Sequence, residues 1–157
     1  MYKRQSISAL LDATSIAAID VSSNNFVFDD LIPVGAMMSD LTVGSFVYSP
    51  QAVISLPTSV TAIGGALQIS SEFSPSMLGD DNYSWFHDNI AINSVVSETL
   101  TRTDVTAADT GDYRYEINNS ALAELTLMSG DVSVTVDFDG DGSPDSCLLY
   151  TSPSPRD

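Results

Sequence analysis

Apolar and polar residues alternate along much of this chain, in short runs separated by turn-forming residues. The sharpest case is 132–138. There Val132, Val134, Val136 and Phe138 alternate with Ser133, Thr135 and Asp137, which predicts a strand with one buried and one wet face. Runs at 52–56, 59–63 and 66–73 are β-branched or alternating, and Pro57 and Gly64-Gly65 separate them. Residues 41–48 read as a strand containing Gly44 and ended by Pro50. Phe26, Val27 and Phe28 lead into a turn at Asp29-Asp30. After a loop over 74–82 come the aromatic segment Tyr83, Ser84, Trp85, Phe86 and the apolar run 89–100, with Trp85 and Phe86 expected to anchor the core. An Asp/Thr-rich turn at 103–112 precedes a strand at 113–117, and 121–128 is either a short helix or a strand. Residues 8–21 fit a helix, a strand or the remnant of a signal peptide, and Asp12 within the apolar part argues against the last.

About eight short strands with regular turn signals and no sustained helical period predict an all-β fold, an antiparallel β-sandwich with a jelly-roll-like architecture. A β-solenoid fragment is the alternative. It is disfavoured because the strand spacing is irregular and no fixed period recurs.

The two ends change how the remainder is read. Residues 147–157 (CLLYTSPSPRD) resemble a translated transposase adapter of the kind used in sequencing libraries, and 1–5 (MYKRQ) resemble the same element in the opposite orientation. On that resemblance, 1–5 and 147–157 are adapter-derived scars and 6–146 is a single β-sandwich domain, cut from a longer protein. Taking five and eleven residues from 157 leaves 141, a normal size for one domain with its own core.

The scars hold three of the five basic residues and one of the 21 acids, so the body has two cations, Arg102 and Arg114, against twenty acids. Its formal charge of −18 would repel a phosphate backbone or an anionic membrane surface. Nucleic-acid binding is therefore excluded as a function class, and no apolar run approaches bilayer-spanning length. Cys147, the single cysteine, falls in the adapter-like stretch, which removes thiol chemistry and disulfides from the body. Acidity combined with abundant Ser, Thr, Ala and Val suits an exported bacterial protein, and 43% hydrophobic residues suit a folded one.

The strongest chemical motif is Asp137, Asp139, Asp141, Ser143 and Asp145, with Gly142 at the sixth loop position. Oxygen donors at positions 1, 3, 5, 7 and 9 converge on a hard cation if the chain turns sharply, and glycine permits that turn. Calcium is the matching ion. The run resembles the calcium loops of EF-hand, dockerin and thrombospondin type 3 repeats over nine residues, with Pro144 in place of an aliphatic residue. Position 12, where a bidentate acid is expected, falls on Leu148 in the adapter-like stretch.

Asp109, Gly111 and Tyr113 resemble the D-x-G-x-Y-x-C signature of immunoglobulin-like domains, in which the tyrosine hydroxyl closes a corner onto the backbone. Tyr115 stands where that signature has cysteine, and Trp85 is close in sequence for the usual core tryptophan. The preferred reading is a chance match at a turn followed by a strand. His87 is the one imidazole and lacks a G-x-S-x-G elbow, so a surface or hydrogen-bonded structural role is expected. A glycosidase would need two convergent carboxylates, which spacing alone does not select.

Gly44 to Tyr48 (GSFVY), Asp88-Asn89 and 125–136 (LTLMSGDVSVTV) resemble bacterial secreted sandwich proteins of the PEP-CTERM, exosortase-sorted kind. The likeness is one of style across 40–136, without the sorting tail. It implies an exported, surface-retained or matrix protein with no catalytic residues to carry over. The expected function is a non-enzymatic extracellular or cell-surface domain, with a structural calcium loop, that serves adhesion or matrix assembly through a protein or glycan partner. The alternative is a carbohydrate-binding accessory module of a secreted hydrolase, with Tyr83, Trp85 and Phe86 as its stacking platform; burial of Trp85 would remove the platform's main residue.

Overall fold

A computed structural model describes residues 7, 16–40, 45–57, 59–63, 65–71, 73, 76 and 80–137. The adapter-like ends lie outside these. In chain order the elements are β1 (Ala18–Asp20), α1 (Phe28–Asp40), β2 (Ser45–Val47), β3 (Ser59–Ile63), β4 (Leu67–Ser70), β5 (Asp81–His87), β6 (Ile90–Ile92), β7 (Thr99–Arg102), β8 (Gly111–Asn119), β9 (Thr126–Met128) and β10 (Val132–Asp137). The fold is an all-β sandwich. Its large sheet runs β3-β10-β8-β5-β6, with β9 also beside β8, and its small sheet is β4-β7. The chain crosses between the two sheets from β3 to β4, from β4 to β5, from β6 to β7 and from β7 to β8.

The core between the layers follows from strand alternation. Tyr83 and Trp85 of β5, Tyr113, Tyr115 and Ile117 of β8, and Val132, Val134 and Val136 of β10 are buried, as are Leu67, Ile69 and Leu100 from the small sheet. Trp85 pairs with Tyr115 across β5 and β8, their rings 5.1 Å apart, and its indole N–H donates to the Ser97 carbonyl at 2.9 Å. The expected strand at 59–63 is present as β3 with the same bounds, and those at 66–73, 113–117 and 132–138 as β4, β8 and β10 with other bounds, Phe138 lying outside the described residues.

Two pairings depart from a wholly antiparallel arrangement. β3 runs parallel to β10, and β1 parallel to β2. Gly65, at a φ of 78°, lets the chain turn from β3 in the large sheet into β4 in the small one. Between β9 and β10 the register against β8 steps by one residue at Ser129-Gly130. This is a bulge, and Ser129 accommodates it by accepting the Tyr115 N–H on its hydroxyl and donating its own N–H to the Tyr115 carbonyl. The segment 121–128 holds both of its expected alternatives, a 3₁₀ turn over Ser120–Leu122 and then β9.

Several sequence expectations are corrected. Phe28, expected to end an extended run before a turn, opens α1, whose residues Phe28, Leu31, Val34 and Met38 are buried at helical spacing. Asp29 and Asp30 are first-turn acids placed favourably for the helix dipole, and Asp30 accepts the Val27 N–H at 3.2 Å. The run 52–56 makes only a bridge from Ile54 to Ser129, because its hydrogen bonds are divided: Ala52 N–H goes to the Asn24 carbonyl, Ile54 N–H to the Met128 carbonyl, and Gly130 N–H to the Ile54 carbonyl. Of 41–48, only β2 is a strand among the described residues. The run 89–100 splits into β6 and the start of β7, the chain between them crossing from one sheet to the other.

Candidate functional site

The D-x-G-x-Y residues form a working corner, which overturns the chance-match reading. The Tyr113 hydroxyl donates to the Asp109 carbonyl at 3.0 Å. Burial pushes the Tyr113 phenol above its usual value, so it stays a donor. Asp109 ends a 3₁₀ turn, and its carboxylate accepts the Thr106 N–H at 2.8 Å and the Thr106 hydroxyl at 3.0 Å, while its other oxygen pairs with Arg102. Burial raises the Asp109 carboxyl, but the hydrogen bonds from Thr106 and then the attraction of Arg102 more than offset this, holding it below the ordinary range. Short sequence separation does not keep Trp85 out of the core either: antiparallel pairing sets it directly opposite Tyr115, and both residues are buried. The corner is structural, and it orients β8.

β8 in turn presents the outer face of the large sheet. Arg114 follows Tyr113 and points to the opposite side, where its guanidinium carbon lies 4.1 Å from the centroid of the Phe86 ring. Glu116 accepts from Arg114 at 2.5 Å, and the Asn89 side chain lies at 3.4 Å. Phe86 and Arg114 are register partners on β5 and β8, and exposed Met128 stands opposite Glu116 on β9. Thr61 and Thr135 face each other at 3.4 Å toward the β3 edge. The outer face thus carries an arginine stacked on an aromatic ring where β8 meets β5.

The proposed sugar platform is corrected. Trp85 is 1% exposed and Tyr83 is buried, so neither can stack on a ligand, and Phe86 lies beneath Arg114. Of the calcium residues, Asp137 ends β10 and is buried. Asp139, Asp141, Ser143 and Asp145 lie outside the described residues. His87 has the expected structural role. It stacks flat on Tyr113, with ring centroids 4.4 Å apart, and its Nε2 lies 3.2 Å from the Thr110 carbonyl.

A feature missed by sequence reasoning is the β5–β6 hairpin. Asp88 and Asn89, with φ of 47° and 65°, form its two-residue turn, and an Asp-Asn pair between apolar runs is a signal for such a turn. The hairpin carries β6 beyond the small sheet. Ile92 pairs with Trp85 and Ile90 with His87, so both isoleucines face the inner side of the large sheet, yet Ile90 is 73% exposed. Beneath them is an open cleft of about 510 Å³ lined by His87, Asp88, Ile90, Ile92 and Arg102 among others.

No protein-family model matches the chain, and no curated protein matches it. Among solved structures, it is similar to Sidekick-1 immunoglobulin domains 1-5, at 18% identity over 61% of this chain and 22% of that one, with a TM-score of 0.44. A chain solved in photo-crosslinking analyses of the multimeric cell-adhesive interactions of VGSC beta subunits gives 15% identity, 52% and 93% coverage and a TM-score of 0.38. The structure of Dpr1 IG1 bound to DIP-eta IG1 gives 18%, 52%, 90% and 0.34.

Proposed function

We propose that this chain is a non-enzymatic extracellular or cell-surface domain that recognises a protein partner in adhesion or matrix assembly, as part of an exported bacterial protein. The observation that carries this reading is the outer face of the large sheet. Its centre is an arginine stacked on an aromatic ring and bordered by an exposed methionine, a composition favoured where proteins bury flat surfaces against one another. Neither the cleft lined by residues between Ser76 and Glu98 nor that lined by residues between His87 and Arg102 includes Arg114 or Met128, and a sheet face outside a concave site suits a protein better than a small molecule. Bead-displayed protein is expected to adhere to bacterial cell-envelope preparations, and Arg114→Ala to lower retention roughly tenfold, the loss of about 1.4 kcal/mol. Retention indifferent to Arg114 in a folded variant would remove the outer face from the reading.

The same proposal includes a structural calcium ion held by Asp137, Asp139, Asp141, Ser143 and Asp145. The donor spacing supports it, as does the position of Asp137 as the last residue of β10. A chain continued with its natural residues past Ser146 should melt at a higher temperature in calcium than in chelator. Equal melting temperatures would take calcium out of the proposal.

A further inference from the structure

We infer that the open edge between β6 and β7 accepts an extended strand from a partner protein, one that alternates apolar side chains with lysines or arginines. The inference rests on the protein-recognition reading but uses a surface separate from Arg114. Its origin is the unequal width of the two layers. The large sheet continues through β5 to β6, whereas among the described residues β7 pairs only with β4 and is the last strand of its layer. Ile92 packs against the core, whereas Ile90 faces inward over a space that the described residues of the second layer do not fill and lies largely in water. An inward-facing isoleucine at that exposure forgoes burial free energy that one more strand beside β7 would recover.

Such a strand would hydrogen-bond to the backbone of Thr99 and Thr101, because the Ser71–Glu98 bond and the register turn Leu100 and Arg102 toward β4, and it would point alternate side chains at Ile90. The cleft of about 510 Å³ marks the space for those side chains. Charge selects the occupant. Asp88, Glu98 and Asp104 are exposed around this edge, while the positive charge of Arg102 is already matched by Asp109. The chain carries a net charge of −16, so a second copy is repelled and a basic strand attracted.

The test uses the full chain and two synthetic peptides of about eight residues, a usual strand length, one alternating valine with lysine and the other valine with glutamate. Amide hydrogen exchange is read across the protein. The valine–lysine peptide should slow exchange at Thr99 and Thr101 roughly fivefold or more, the valine–glutamate peptide should not, and Ile90→Asp should abolish the protection. Ile90 is exposed, so that variant is expected to stay folded. Absence of protection, protection insensitive to Ile90→Asp, or equal protection by both peptides overturns the inference. Protection of the outer face that Arg114→Ala removes and Ile90→Asp does not would also overturn strand addition, while supporting the protein-recognition reading on which it rests.

Discussion

Replacing Trp85 with alanine is expected to cost about 3–5 kcal/mol, a large part of the 5–15 kcal/mol typical of a whole domain. The indole is 1% exposed, packs against Tyr115 at 5.1 Å and bonds the Ser97 carbonyl at 2.9 Å, so truncation opens a cavity and orphans an acceptor together. Ser97 belongs to the crossing between β6 and β7, so the loss also loosens the connection that brings the chain from the large sheet to the small one. Urea unfolding should show a fall in midpoint, with Trp85→Phe intermediate because it keeps the ring and loses only the N–H and part of the volume. A change within about 0.5 kcal/mol for the alanine variant is what a surface residue gives. It would return Trp85 to solvent and restore the sugar-platform alternative.

Where local pattern and tertiary environment agree, the fold is legible from the sequence. β10 reads correctly because every second residue from Val132 to Val136 enters the core, and β8 because Tyr113, Tyr115 and Ile117 do the same. Helix α1 is harder to see because Pro33 and Gly35 stand inside it and disfavour helix, while burial of Phe28, Leu31, Val34 and Met38 supplies the stabilisation that propensity does not. The parallel β3–β10 pairing leaves no local trace, since it joins segments more than seventy residues apart and depends on which edge of β10 is open. Trp85 shows the same limit from the other side. Its identity suggests both a core residue and a sugar platform, and only pairing with Tyr115 decides between them. The outer face is likewise a product of register: Phe86 and Arg114 are 28 positions apart and meet because β5 and β8 align them.

Gly111→Ala should be nearly as damaging as the loss of Trp85, by about 2–4 kcal/mol, although it adds a single methyl group. Gly111 has a φ of 151°, which side-chain-bearing residues rarely adopt, and an added Cβ would stand 2.5 Å from His87 Nε2 and 2.7 and 2.8 Å from the Asp88 carboxylate oxygens. Neither neighbour moves freely. The His87 ring lies flat on Tyr113, and Asp88 accepts the Asp112 N–H at 2.9 Å while donating its own N–H to the Asp112 carbonyl at 2.8 Å. If crowding is the main cause, a double-mutant cycle with His87→Ala should recover about 1 kcal/mol, and the remainder reports the backbone conformation. A Gly111→Ala protein within about 0.5 kcal/mol of the parent would mean that the corner relaxes without resistance. The corner also bears on recognition, because Tyr113 is tied down on the inner side of β8 and Arg114 follows it on the outer side. Gly111→Ala should therefore lower bead retention only as far as it lowers the folded fraction or tilts β8, whereas Arg114→Ala should lower retention with the unfolding midpoint nearly unchanged. That contrast separates the scaffold from the surface it presents.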